Sequence, residues 1–224
     1  GVEYQRDDEE TELEVPLTLE YNFTDSFKLI VESSYITIRP RDEEDPDLSG
    51  MGDFETFLEA EFVSERRYRP ALTLEAGIKW PTADAPDLGT GATDYTVGLI
   101  ASKEFIHWDM DFGAIYTWVG STPEESLDNV LELSLAAEWQ FTPVFAAIAE
   151  GLYSIGGDAV FRGHRGGIGG GAGGGGSGDG GFEFACGLAE QISENLKLEQ
   201  GIAIQPDGTL QFIVYAEWDF GGEG

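Results

Sequence analysis

Carboxylates carry most of the chemistry this chain could perform. Its 224 residues hold 43 Asp and Glu against 12 Lys and Arg, a formal charge of −31. Many acids recur at every second position, alternating with apolar residues: Glu12, Glu14, Glu20, Glu55, Glu59, Glu61, Glu75, Asp109, Asp111, Glu132, Glu138, Glu183, Glu199, Glu217 and Asp219. Lys28, Lys79 and Lys197 fall on the same faces. Carboxylates ringed around a water-filled path concentrate cations and reject anions, a preference that fades as acid protonates them. Glu20, Glu59, Glu75, Asp111, Glu138 and Glu217 are the candidates to line such a path. The plainer alternative is an interior that is merely polar, its acids solvated or bonded to Thr, Ser and Gln.

Other chemistries find less support. Three acidic stretches, 41–53 (RDEEDPDLSGMGD), 84–94 and the surroundings of Asp179, have oxygen ligands that calcium accepts, but none fits the spacing of a calcium loop. Nucleophilic catalysis would have to use His107 in a two-residue turn, or His164 and Ser177 in a glycine-rich stretch, and Ser177 sits on no nucleophile elbow. No enzyme, metal or cofactor is therefore expected. Cys186, the one cysteine, rules out an internal disulfide. Residues 156–181 lack the strand, helix and lysine of a phosphate cradle, although twelve of their last sixteen residues are glycine. They read as a surface loop, with an inward-folding plug as the alternative. Arg66, Arg67 and Arg69 form a basic corner, either solvated or in contact with a lipid headgroup or a partner. The net charge excludes nucleic acid as a partner.

The elements that position these acids are strands. Period-two alternation runs almost end to end, as in Leu72, Leu74, Ala76, Ile78, Trp80 against Thr73, Glu75, Gly77, Lys79. Eleven strands are expected, near 12–23, 27–39, 53–63, 71–81, 93–105, 108–119, 130–141, 144–155, 182–192, 196–205 and 210–220. Their connections alternate short and long, apart from a short one at 206–209. That rhythm belongs to an up-and-down membrane barrel, which in single-chain form has an even strand number. Val2–Arg6 supplies a short twelfth strand. The expectation is all-β: one antiparallel transmembrane barrel over residues 1–224.

A soluble sandwich with a buried apolar face would alternate in the same way. Three features favour the barrel. The strands run roughly 10–13 residues, longer than the usual ~5–6 and close to the ~9–11 that cross a bilayer. Aromatics crowd the strand ends. Near the short turns lie Phe23, Phe27, Phe105, Trp108, Trp139, Phe141, Phe145, Trp218 and Phe220; near the long loops lie Tyr35, Phe54, Trp80, Tyr95, Trp118, Tyr153 and Phe182. Finally, the acids avoid the apolar parity, where each would cost a few kcal/mol at the membrane centre. Glu190 and Lys103 break that parity near short turns, Gln200 breaks it in mid-strand, and strands 27–39 and 144–155 alternate poorly.

Residues 70–120 carry Pro81–Thr82, the run Leu88, Gly89, Thr90, Gly91 followed by Asp94, and Gly113 to Tyr116. In these motifs the chain resembles the outer-membrane barrel family named for the MetA pathway of phenol degradation. Its "YNFT" at residues 21–24 departs from the "YGLT" usual there. The resemblance implies a Gram-negative outer-membrane location, a transport role and hydrophobic or aromatic solutes, and it brings no site residues. The expected function is a channel for small solutes in outer-membrane lipid. Two alternatives stay open: a non-conducting barrel that anchors a partner, and a secreted acidic sandwich that binds calcium.

Overall fold

The computed structural model describes residues 1–7, 10–42, 46–122, 128–156 and 181–220. Its strands are β1 (Val2–Arg6), β2 (Glu10–Thr24), β3 (Phe27–Pro40), β4 (Leu48–Met51), β5 (Phe54–Val63), β6 (Ala71–Trp80), β7 (Asp94–Glu104), β8 (Trp108–Trp118), β9 (Val130–Gln140), β10 (Phe145–Ile155), β11 (Gly181–Ser193), β12 (Leu196–Ile204) and β13 (Leu210–Trp218). Every pairing is antiparallel, and neighbours in sequence are neighbours in space. The ring closes through β1, which pairs β13 on one side (Glu3 opposite Ile213) and β2 on the other (Glu3 opposite Glu14).

The thirteen segments make a twelve-strand barrel, because β4 and β5 share one place in it. Both pair with β3, β4 at Tyr35 to Ile38 and β5 at Phe27 to Glu32. Tyr35 faces Met51 while Glu32 faces Glu55, so the register slips by one residue across Gly52 and Asp53. The sequence expectation of an unbroken long loop over 40–52 is corrected here. β3 runs past the point where β5 leaves it, and Leu48–Met51 pairs that free edge.

Short turns are built from local hydrogen bonds. Phe105 N donates to Trp108 O at 2.7 Å across the Ile106–His107 turn, and the Thr142 hydroxyl accepts Phe145 N at 2.8 Å. Three register shifts, at Asn22/Thr24, Glu61/Val63 and Gln191/Ser193, all fall at the short-turn end. Bulges concentrate at barrel rims, where strands must bend. Pro16, which has no N–H to give, lies opposite the start of β1: its carbonyl accepts the Gly1 ammonium at 2.8 Å. Proline is tolerated where a ladder ends.

The apolar faces point outward. Leu74 is 47% exposed, Leu135 51% and Val214 45%. All the end-of-strand aromatics expected near the short turns and long loops are exposed as well. Trp108 and Trp139, directly opposed on β8 and β9, stack with centroids 5.7 Å apart. An exterior of aliphatics between two aromatic belts suits acyl chains and interfaces and would be insoluble in water. The sandwich alternative fails here, since among the described residues no second sheet covers these side chains.

Candidate functional site

Opposite parity turns inward, and the register shows which acids meet. On β5 and β6, Glu59 opposes Glu75, and on β3 and β5, Lys28 opposes Glu59. Each of the three lysines on this face holds carboxylates. Lys28 Nζ lies 2.8 Å from Glu20 on β2 and 3.9 Å from Glu59. Lys79 Nζ lies 2.5 Å from Asp94 on β7 and 3.8 Å from Asp53, at the long-loop end. Lys197 Nζ lies 2.8 Å from Glu199 on its own strand and 2.9 Å from Glu138 on β9, three places away around the barrel. The strands between present buried Ala189 and Ala146, whose short side chains leave room for that reach.

Of the six sequence candidates, Glu20, Glu59 and Asp111 come together at the short-turn mouth. A cavity of about 270 Å³ there is lined by Lys28, Glu59, Glu61, Thr73, Ser102 and Asp111, among others. The Ser102 hydroxyl donates to Asp111 Oδ1 at 2.5 Å. Glu138 and Glu217 gather at Lys197, Glu217 through the β12–β13 register. Glu75, 6% exposed in the middle of the wall, lies beside Glu59 through the β5–β6 register and opposite Gly98 on β7.

Several inward groups escaped the sequence reading. Glu3, 2% exposed, accepts Gln211 Nε2 at 2.7 Å and the Tyr215 hydroxyl, which ties β1 to β13 from inside. Alternation of Val2, Glu3, Tyr4 and Gln5 in that short strand carried the signal, but so few residues do not by themselves say which parity turns inward. Glu32 and Glu150 lie on β3 and β10, whose faces were ambiguous; the register turns both inward, Glu32 opposite Glu55 and Glu150 opposite Ala185. β3 also turns Ile30 and Ile36 inward, and small Ala147, Ala149 and Gly151 take the outer face of β10. That mixture is what blurred the two patterns.

Residues 82–92, one of the long connections, pack onto the inner face of the rim. Asp53 Oδ1 accepts Thr82 N at 2.9 Å and Ala83 N at 3.0 Å, while Oδ2 accepts Thr90 N at 3.3 Å. Asp84 and Met51 exchange two bonds, Asp84 N to Met51 O at 2.9 Å and Met51 N to Asp84 Oδ2 at 2.8 Å. Lys79 donates to Thr90 Oγ1 at 2.5 Å. Leu88, 5% exposed, takes the space that a side chain at Gly50 would need: a Cβ there would lie 2.9 Å from Leu88 Cδ1. Asp84 and Asp94, first considered as calcium ligands, thus serve as acceptors at this rim, with Asp94 taking Gly120 N at 2.8 Å.

The outward exceptions stay outward. Lys103 is bonded to Glu65, Glu190 opposes Phe145, and Gln200 opposes Leu188 on the lipid-facing side. Cys186 faces out opposite Ala149, and His107 is exposed in its turn. His164, Ser177, Asp179 and all but the two end residues of 156–181 lie outside the described residues.

No family model and no curated sequence matches the chain. Solved structures do match its fold. The COG4313 outer membrane channel from Pseudomonas putida F1 superposes with a TM-score of 0.68 at 12% identity, covering 96% of this chain and 92% of its own. The NanC porin gives 0.66 at 9% identity, covering 98% of each chain. The KdgM porin in complex with disordered oligogalacturonate gives 0.62 at 9%, covering 98% of this chain and 99% of its own. The fold is that of outer-membrane channel barrels.

Proposed function

We propose that the chain is an outer-membrane channel for passive diffusion of small solutes, and that its interior prefers cations and neutral molecules to anions. Glu20, Glu59, Glu75, Asp111, Glu138 and Glu217 line the path in this reading. The observation that carries it is the state of the inward lysines: each already lies within ion-pair distance of two carboxylates. The wall therefore has little positive charge left to offer an anion, and carboxylate rings set the sign of selectivity. A polyanion such as the oligogalacturonate of the KdgM complex is the wrong charge for such a wall. The motif resemblance in residues 70–120 speaks for aromatic solutes, which enter this scheme as neutral molecules.

Planar-bilayer recording under a salt gradient tests the proposal. The expected result is stepwise conductance with a reversal potential of the cation-selective sign. Anion selectivity near neutrality refutes it. A second reading, a non-conducting barrel that anchors a partner, draws on side-chain filling: Ile30, Phe57 and Ile213 point inward at no more than 3% exposure. A silent bilayer with folded, inserted protein decides for that reading.

A further inference from the structure

At the short-turn end, the corner between β5 and β6 gathers positive charge in a chain that is otherwise acidic. Arg66, Arg67, Arg69 and nearby Lys103 are four of the 12 lysines and arginines. The turn is a tight one: Arg66 N donates to Arg69 O at 2.9 Å and Arg69 N returns a bond to Arg66 O at 3.1 Å, placing Arg67 and Tyr68 at the tip. Arg69 is held against the Ser64 carbonyl at 2.9 Å, and Arg67 lies 5.1 Å over the Tyr68 ring.

Glu65 does not neutralise these arginines. It bonds Lys103 and takes the Glu104 amide at 3.3 Å. Among the described residues no carboxylate lies within ion-pair distance of Arg66, Arg67 or Arg69, although the chain holds 43 acids. Exposed apolar groups surround the corner. Tyr68 is 85% exposed, Ile106 in the next turn 90%, and Phe62 and Phe105 end the lipid-facing sides of β5 and β7 at 60% and 56%. Unpaired guanidiniums beside aromatic and aliphatic side chains, continuous with the bilayer-facing wall, match the two layers of a phospholipid: phosphate above, acyl chain below.

We propose that this corner is a binding site for the headgroup phosphate of an anionic phospholipid in the leaflet at the short-turn end, which in outer-membrane barrels is the periplasmic one. Arg66 and Arg67 contact the phosphate, Arg69 braces the turn, and Tyr68 and Ile106 sit at the glycerol level. The site rests on the barrel spanning a bilayer and is independent of whether it conducts. Solvation alone does not account for three arginines left without acids in so acidic a chain. It also does not account for Ile106 standing 90% exposed in the adjacent turn.

Native mass spectrometry of the detergent-solubilised full chain, titrated with phosphatidylglycerol or phosphatidylethanolamine of identical acyl chains, tests this. Wild type should retain phosphatidylglycerol in preference. R67Q should weaken that preference roughly fivefold and R66Q/R67Q/R69Q on the order of a hundredfold. R6Q/R39Q/R41Q, which removes the same charge at the opposite mouth, should leave it intact. Heat-modifiable gel mobility establishes folding, and R67Q, whose side chain carries no backbone bond of the turn, keeps the test open if the triple variant misfolds. Equal retention of both lipids by wild type overturns the proposal. So does a preference that survives in R67Q and the triple variant, or one lost equally in R6Q/R39Q/R41Q.

Discussion

Lys79 offers the sharpest test of how the rim is held. Its side chain is 3% exposed, and its partners Asp94 and Asp53 are 4% and 6% exposed, so all three charges are out of water. Lys79→Met keeps the length of the chain and removes the cation, leaving two carboxylates facing each other in a dry rim. Removing one partner of a buried pair typically costs about 3–5 kcal/mol. The lower end applies here, because both carboxylates keep amide donors: Gly120 N on Asp94, and Thr82, Ala83 and Thr90 N on Asp53. The expected loss is about 3 kcal/mol. Denaturant unfolding in bilayers, followed by gel mobility, measures it. A double-mutant cycle with Asp94→Asn isolates the pair, and a coupling of about 2 kcal/mol is expected. A cost below about 1 kcal/mol for Lys79→Met, or a coupling near zero, refutes the reasoning, because it would mean that water reaches the rim and screens these charges.

Two further outcomes follow from packing and from a surface ion pair. A Cβ at Gly77 would lie 2.3 Å from Cδ1 of Phe57, whose ring is buried at 3% exposure against that glycine. Gly77→Ala should therefore destabilise by about 1–3 kcal/mol, and a melting midpoint unchanged from wild type would contradict the close approach. The Glu65 carboxyl, in the β5–β6 turn, is held below its ordinary range chiefly by the hydrogen bond from Lys103, helped by the Glu104 amide. A depressed carboxyl contributes stability above its unfolded value and loses it as pH falls through the lowered one. The gap in melting midpoint between wild type and Glu65→Gln should accordingly be present near neutrality and close in strong acid; a gap that persists in strong acid argues against the pairing.

The strands were legible because one physical constraint wrote them. A residue on the lipid side of β6 or β13 must be apolar and its neighbour need not be, so Leu74 and Glu75, or Val214 and Tyr215, announce their faces two by two. The inner face obeys no comparable rule: parity marks which acids turn to it, but not which groups they meet there. Ile30 faces Phe57 across β3 and β5, and the Phe57 ring lies on the bare backbone of Gly77, a match spread over three strands that no local pattern records. The pairing of Lys197 with Glu138 is similar in kind: it joins residues 59 apart in sequence across two intervening strands. The inward packing of the long connection 82–92 was hidden for a related reason. Its acids look solvent-seeking one at a time, yet Asp53, Asp84 and Lys79 come from three different stretches of chain, and their joint demand for donors and acceptors is met only by folding the loop inward. Parity along a strand is a one-dimensional signal and reports the membrane. The contents of the barrel are fixed by contacts across it, which is why Lys197 and Glu138 meet with no local pattern to announce them.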